Sequence, residues 1–138
     1  MPDIAKQTLI TTRPYNAEAD KNFVYATWLR GLYYGDSWFS QIPKQIFMTQ
    51  YQLVIDRILS RATVSVACLK DDPEIILGYS VHHPIENGNA VDWVFVKSSW
   101  RHIGVAKSLI PSNVVAVTHL TKVGRSIKPA NCDFNPFI

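Results

Sequence analysis

The stretch AVDWVFVKSSWRHIGVAKSLI, residues 90–110, decides the fold. Its first part, AVDWVFVK, is apolar and rich in β-branched and aromatic residues, the composition of a buried strand. Its second part, RHIGVAK (101–107), leaves that strand through an arginine and a glycine and starts a helix from about Gly104. Pro111 should end the helix at or before Ile110, because the residue before a proline avoids the α region. A strand that turns straight into a helix leaves the first helical N–H groups without partners. The helix dipole adds partial positive charge there, so a phosphate fits. Gly104 and Ala106 keep the turn free of bulk, and Arg101 can add charge or hold the turn. The bland reading of the same residues is a solvated helix start that needs a small side chain.

Upstream, ATVSVACLK (62–70) alternates and reads as a strand, DDP (71–73) as a turn, and EIILGYSVHH (74–83) as the next strand. ENGN (86–89) centres on Asn87-Gly88, a two-residue hairpin signal that makes 90–97 antiparallel to the strand before it. Downstream, NVVAVTHL (113–120) is a further buried strand, which a crossover helix would set parallel to 90–97. TKVGRSIK (121–128) reads as a short helix capped by Thr121, and CDFNPFI (132–138) as a closing segment or strand.

Nearer the start, QTLITTRP (7–14) reads as a first strand. Asn16 is a good N-cap, Glu18 and Asp20 suit a first helical turn, and Val24, Trp28 and Leu32 recur at helical spacing up to about Gly31. The aromatic segment YYGDSWFSQIP (33–43) leads to a second helix that opens on Pro43, with Phe47, Tyr51, Val54 and Ile58 as its apolar stripe. The resulting order is β-α-α-β-β-β-α-β-α-β. It is an α/β (α+β mixed) chain with a mostly antiparallel sheet flanked by helices. The dinucleotide-binding glycine fingerprint after the first strand is missing.

At 138 residues, 47% hydrophobic and 18% charged, the chain suits one soluble domain over 1–138 with a real core. No apolar stretch is long enough for a membrane span, and the first residues lack a signal-peptide core. Cys68 and Cys132 have neither metal nor disulfide spacing, which suits a reducing, cytoplasmic setting. The net charge of +3 comes without a Lys/Arg cluster, which argues against a nucleic-acid partner. Lys97, Arg101, His102 and Lys107 instead gather around the opening motif, as for a small anionic ligand.

Residues 90–110, with the pattern Arg-x-x-Gly-x-Ala, resemble the fourth strand, pyrophosphate loop and following helix of the GNAT superfamily of acyl-CoA N-acyltransferases. TTRPYNAEADKNFVYATWL (11–29) resembles that family's opening strand and helix, and EIILGYSVHH its third strand with a Gly-Tyr pair. The resemblance implies a bulged fourth strand that splays from the fifth and opens a V-shaped slot. It implies acetyl-CoA as cosubstrate, held by the backbone N–H groups of His102, Ile103, Gly104, Val105, Ala106 and Lys107 beside Arg101. Val94, Phe95 and Val96 would line the pantetheine arm through main-chain bonds, with the Val94 N–H as oxyanion donor. The acceptor would be a small-molecule or protein amine.

Transfer to an amine also calls for a base. Asp92 is the first candidate, because strict alternation puts it on a face with Val94 and Val96, where a carboxylate's pKa tends upward. His119 is the second. For both, an ordinary structural role is the bland alternative. His82 and His83 face opposite sides of a strand and make no metal pair. The family's frequent tyrosine acid after the fifth strand has no counterpart, since no tyrosine follows Tyr79; Ser126 and Cys132 lie in that region. That departure leaves a non-catalytic binding or assembly module as the alternative. Tyr34, Trp38 and Phe39, with Tyr33 and Asp36, would wall the acceptor site or equally a contact with a second copy.

Overall fold

The computed structural model describes residues 4–121 and 131–138. A mixed six-stranded sheet runs in the order β1 (Ile10–Pro14), β2 (Thr63–Leu69), β3 (Ile76–Ile85), β4 (Gly88–Val96), β5 (Val114–Val117), β6 (Asp133–Phe134). The pairs β1–β2, β2–β3 and β3–β4 are antiparallel; β4–β5 and β5–β6 are parallel. The helices are α1 (Ile4–Gln7), α2 (Ala17–Gly35), α3 (Lys44–Leu59) and α4 (Val105–Leu109). The expected fold class holds, and so does the parallel crossover from β4 through α4 to β5.

Helices cover both faces. Val24, Trp28 and Leu32 of α2 and Phe47, Ile55 and Ile58 of α3 pack on Val64, Val66, Tyr79 and Val81 of the sheet, with Phe95 and Trp93 at the margin. Trp28 is wholly buried and stacks on Trp93, ring centroids 5.7 Å apart. On the opposite face α4 sets Val105 and Leu109 on Ala67, and Ser80 Oγ donates to Leu109 O (2.8 Å).

Local chemistry explains the boundaries. Asn16 caps α2 by accepting from the N–H groups of Glu18 and Ala19. Asp20 does more than favour the dipole: Arg13 grips both its oxygens (2.7 and 2.9 Å), which holds its carboxyl below the usual range. Pro111 stops α4 after Leu109, with Ile110 already extended.

Four expectations need correction. Residues 7–9 are not strand: Thr8 Oγ1 donates to Ala5 O and Leu9 N–H to Lys6 O, closing α1, and β1 begins at Ile10. The helix α2 passes through Gly31 to Gly35; Gly31 serves packing, since a Cβ there would stand 2.9 Å from Trp93 Cζ2. The hairpin pairs Ile85 with Gly88, so Glu86 and Asn87 form the loop. Gly88 instead lets Asn113 approach, whose O would lie 2.4 Å from a Cβ. The strand at 113–120 is only Val114–Val117. The helix expected over 121–128 falls, beyond Thr121, outside the described residues, as does Ser126.

Candidate functional site

The ladder between β3 and β4 contains one irregularity. Val81 pairs with Trp93 and His82 with Val91, so Asp92 is an inserted residue, a β-bulge. Just there, β5 leaves β4. Pairing stops at Val91↔Val117, followed by one bond from Thr118 N–H to Val91 O (3.1 Å). Val94, Phe95 and Val96 therefore lie on a stretch of β4 that β5 does not pair. A bulged fourth strand and a diverging fifth are what the resemblance implied.

The bulge overturns the expected setting of Asp92. Insertion breaks the two-residue alternation, and Asp92 turns from the valines toward polar partners. It is almost wholly buried. Its Oδ2 lies 2.8 Å from His83 Nδ1, and its Oδ1 accepts from Thr118 Oγ1 at 2.8 Å. Thr118 Oγ1 lies 3.0 Å from His119 Nδ1, and His119 Nε2 lies 2.5 Å from the Tyr51 hydroxyl.

The proton positions follow from valence. Thr118 has one hydroxyl proton, and the carboxylate takes it. Thr118 can then only accept from His119, so Nδ1 carries the imidazole proton. Nε2 is left as an acceptor, and Tyr51 donates to it. Burial pushes the His119 pKa down to about 4, partly opposed by Asp92, so the ring is neutral near pH 7. Burial first, and the Asp92 charge second, push the Tyr51 phenol up. Both candidate bases thus have their polar atoms engaged inside the protein.

Tyr51, Asp92, Thr118 and His119 line a cavity of about 390 Å³, bounded on other sides by Arg57 and Ile58 of α3, by Arg61 just beyond its end, and by Pro136 and Ile138. The sequence reading placed Tyr51 only on an apolar stripe and did not single out Thr118 or the role of His83. No local signal marks them: Tyr51 and His119 are 68 residues apart, Asp92 and Thr118 are 26 apart.

The aromatic segment divides. Phe39 packs edge-on to Tyr51, centroids 5.4 Å apart, and so reaches the polar chain. Trp38 is exposed and touches Phe39 from outside. Tyr34 is exposed beside Lys44, away from this cavity's lining. Asp36 is a turn cap rather than an open carboxylate: its Oδ1 accepts from Trp38 N–H (2.8 Å).

The loop after β4 forms a second region. A short 3₁₀ turn (Ser98–Trp100) precedes it, and Arg101 folds back so that Nε donates to Val96 O (2.9 Å). That bond holds the turn, one of the two roles expected of Arg101. His102 (φ +66°) and Gly104 (φ +91°) are left-handed, a backbone arrangement that gathers successive N–H groups into a concavity. Among the described residues, the N–H groups of residues 102–107 have no protein acceptor; the next amide, Ser108, donates to Gly104 O. A Cβ on Gly104 would meet nothing within 4 Å. The helix α4 is little more than one turn, so the loop amides rather than a macrodipole define this region.

In front of Gly104 is a cavity of about 350 Å³, bounded across by Ile10, Thr11 and Thr12 of β1 and by Gln7. It therefore lies between this loop and β1, not at the divergence of β4 and β5. From α1, Lys6 Nζ donates to Ser99 O (2.6 Å) and Gln7 Nε2 to Ile103 O (2.8 Å), so the loop's carbonyls, not its amides, are taken. Among the described residues no cluster of side chains suits a metal ion, and no helix is long and apolar enough to cross a membrane.

No protein-family model matches this sequence, and no curated protein matches it. Among solved structures, the chain is similar to a GCN5-related glucosamine N-acetyltransferase region in a fungal multi-domain beta-N-acetylglucosaminidase. The TM-score is 0.49 and identity 19%, over 72% of this chain and 11% of that one. It is also similar to a possible acetyltransferase from Clostridium difficile 630, with TM-score 0.48 and identity 13%, over 72% of this chain and 65% of that one. The chain thus spans less than two thirds of the length of either protein.

Proposed function

We propose that residues 1–138 form one N-acyltransferase domain of the GNAT kind, taking acetyl-CoA as cosubstrate and an amine as acceptor. The observation that carries this reading is the loop at 102–107. Its consecutive amides are turned by two left-handed residues, lack a protein acceptor among the described residues, and face open space at Gly104. A diphosphate supplies the acceptors they lack. The edge of β4 at Val94–Val96 that β5 does not pair offers main-chain groups to an extended arm. Bound acetyl-CoA would supply the activated acyl group.

The chain's own residues would then handle the proton. A free amine bonds to the acyl carbon, the carbon–sulfur bond breaks, and the sulfur leaves as a thiolate that takes a proton from solvent. The amine loses one proton in the exchange. Tyr51 is placed to accept that proton as its own phenolic proton passes to His119 Nε2. The proton given up by the amine returns to solvent as the His119 ring goes back to its neutral form. A ring with pKa about 4 is too weak to deprotonate an ammonium ion. It suffices once the nitrogen has begun to bond carbon, because the remaining proton is then far more acidic. The acceptor must therefore arrive as the free amine. Phe39 would wall this site through Tyr51, with Trp38 outside it. The buried Cys68 and Cys132, neither joined in a disulfide, suit a cytoplasmic setting.

One observation favours a second reading, a binding module without turnover. The cavity at Gly104 faces β1, while the polar chain lies where β5 leaves β4. Calorimetry and thermal denaturation with acetyl-CoA test binding, and thiol release with an amine panel tests turnover. Binding that disappears in Gly104→Glu, together with amine-dependent thiol release, is expected. No heat and no stabilisation at high ligand concentration would overturn both transfer and acetyl-CoA binding, leaving a module whose groove is degenerate. Binding without thiol release would leave the module.

A further inference from the structure

The cavity at Tyr51 carries more information than the proton path needs. Arg57 lies in the last turn of α3 and Arg61 in the turn just beyond its end, where its N–H donates to Ile58 O. Both line the cavity. The carboxylate in its lining, Asp92, is already bonded on both oxygens, to His83 and Thr118. His119 is bonded on both nitrogens. Arg61 gives one N–H to Ile138 O (2.9 Å), which shows that its guanidinium turns to an oxygen on this side. Arg57 has no hydrogen-bond partner among the described residues.

The hydrogen-bonding capacity left in the cavity is therefore lopsided. Among the side chains of the described residues it consists chiefly of cationic donors, Arg57 and the N–H groups of Arg61 not given to Ile138 O, with the Tyr51 oxygen as an acceptor. Among the described residues of the lining, an ammonium ion alone meets two positive charges and no side-chain carboxylate that is not already bonded. A molecule with an anionic group at one end and an amine at the other satisfies both. The guanidiniums take a carboxylate or phosphate in paired bonds, and the amine points to Tyr51.

We propose that the Arg57–Arg61 cavity binds the anionic group, carboxylate or phosphate, of a small acceptor whose amine lies at Tyr51. The amine's role rests on the acyltransferase reading; the anion site does not. The ordinary alternative is that both arginines only complement the C-terminal dipole of α3.

The test uses the full chain without acyl donor and three probes that differ at one end: β-alanine, 3-aminopropyl phosphate and propylamine. Calorimetry should show at least one anionic probe binding tenfold or more tightly than propylamine, with affinity falling as salt rises. The two anionic arms separate carboxylate from phosphate. Arg57→Gln should weaken that binding about tenfold and leave the melting temperature unchanged. Equal binding of the three probes overturns the proposal. So does an Arg57→Gln protein that melts lower yet binds as before, the result a dipole role predicts. Thiol release from acetyl-CoA is then measured with each probe. Anion binding without release keeps this site and removes the transferase reading. Equal release from propylamine and the anionic probes keeps transfer and removes the site.

Discussion

Replacing His119 with asparagine should flatten the acid side of the protein's stability curve. Burial holds the ring's pKa at about 4 in the folded chain, against 6.5 when exposed. Below pH 6.5 the unfolded chain takes up a proton that the folded chain refuses. The neutral ring's contribution is complete above about 6.5 and drains away as pH falls toward 4. With 1.36 kcal/mol per pKa unit, the swing is about 3 kcal/mol. That is a large share of a typical stability of about 5–15 kcal/mol. Asparagine keeps an N–H for Thr118 but has no group that titrates in this range. It also loses the bond from Tyr51, so the variant should be less stable at every pH; the slope is the quantity of interest. His82 is shifted the same way by burial and adds to the slope of both proteins, so it cancels in the difference. Asp20, with its carboxyl held low by Arg13, acts at lower pH and also cancels. Urea denaturation at half-unit steps from pH 4 to 8 gives both curves. Parallel curves would show that His119 is not held neutral by burial, and the proton path built on it would fail.

Three further outcomes are expected. Gly78→Ala should cost about 3 kcal/mol or prevent folding, because a Cβ would lie 2.5 Å from Phe95 O in the middle of the sheet; chemical denaturation measures it. Gly104→Ala should cost only about 1–2 kcal/mol, from its φ of +91° alone, since no atom stands near the new methyl. If denaturation shows a loss as large as at Gly78, the loop is more crowded than described. Tyr51→Phe should cost about 1 kcal/mol in stability yet lower amine-dependent thiol release at least tenfold with acetyl-CoA binding intact. Unchanged release would remove Tyr51 from the reaction.

Local rules served where one residue decides a local outcome. Asn16 caps α2 and Pro111 stops α4, because capping and proline geometry act within a few residues. The Asn87-Gly88 signal misplaced the hairpin loop by one residue, because Gly88 is there to admit Asn113 from a distant segment. Gly31 misled for the same reason: its missing side chain serves Trp93, not a helix stop. The two candidate bases, read separately from the sequence, line one cavity, and their surroundings there were not legible. Strict alternation cannot anticipate an inserted residue, so Asp92 was assigned to the wrong neighbours. Tyr51 and Thr118 come to the site through contacts that no short window contains.

The bulge has a consequence for how position 92 is constrained. Val91 and Trp93 already oppose His82 and Val81, which are consecutive on the neighbouring strand. Were the intervening amino acid deleted, the two halves of β4 would join as an unbroken ladder, with the tryptophan still stacked on Trp28. The sheet has no architectural demand for a side chain there. Whatever keeps an aspartate in that place must be sought in the company it keeps, not in the scaffold it interrupts.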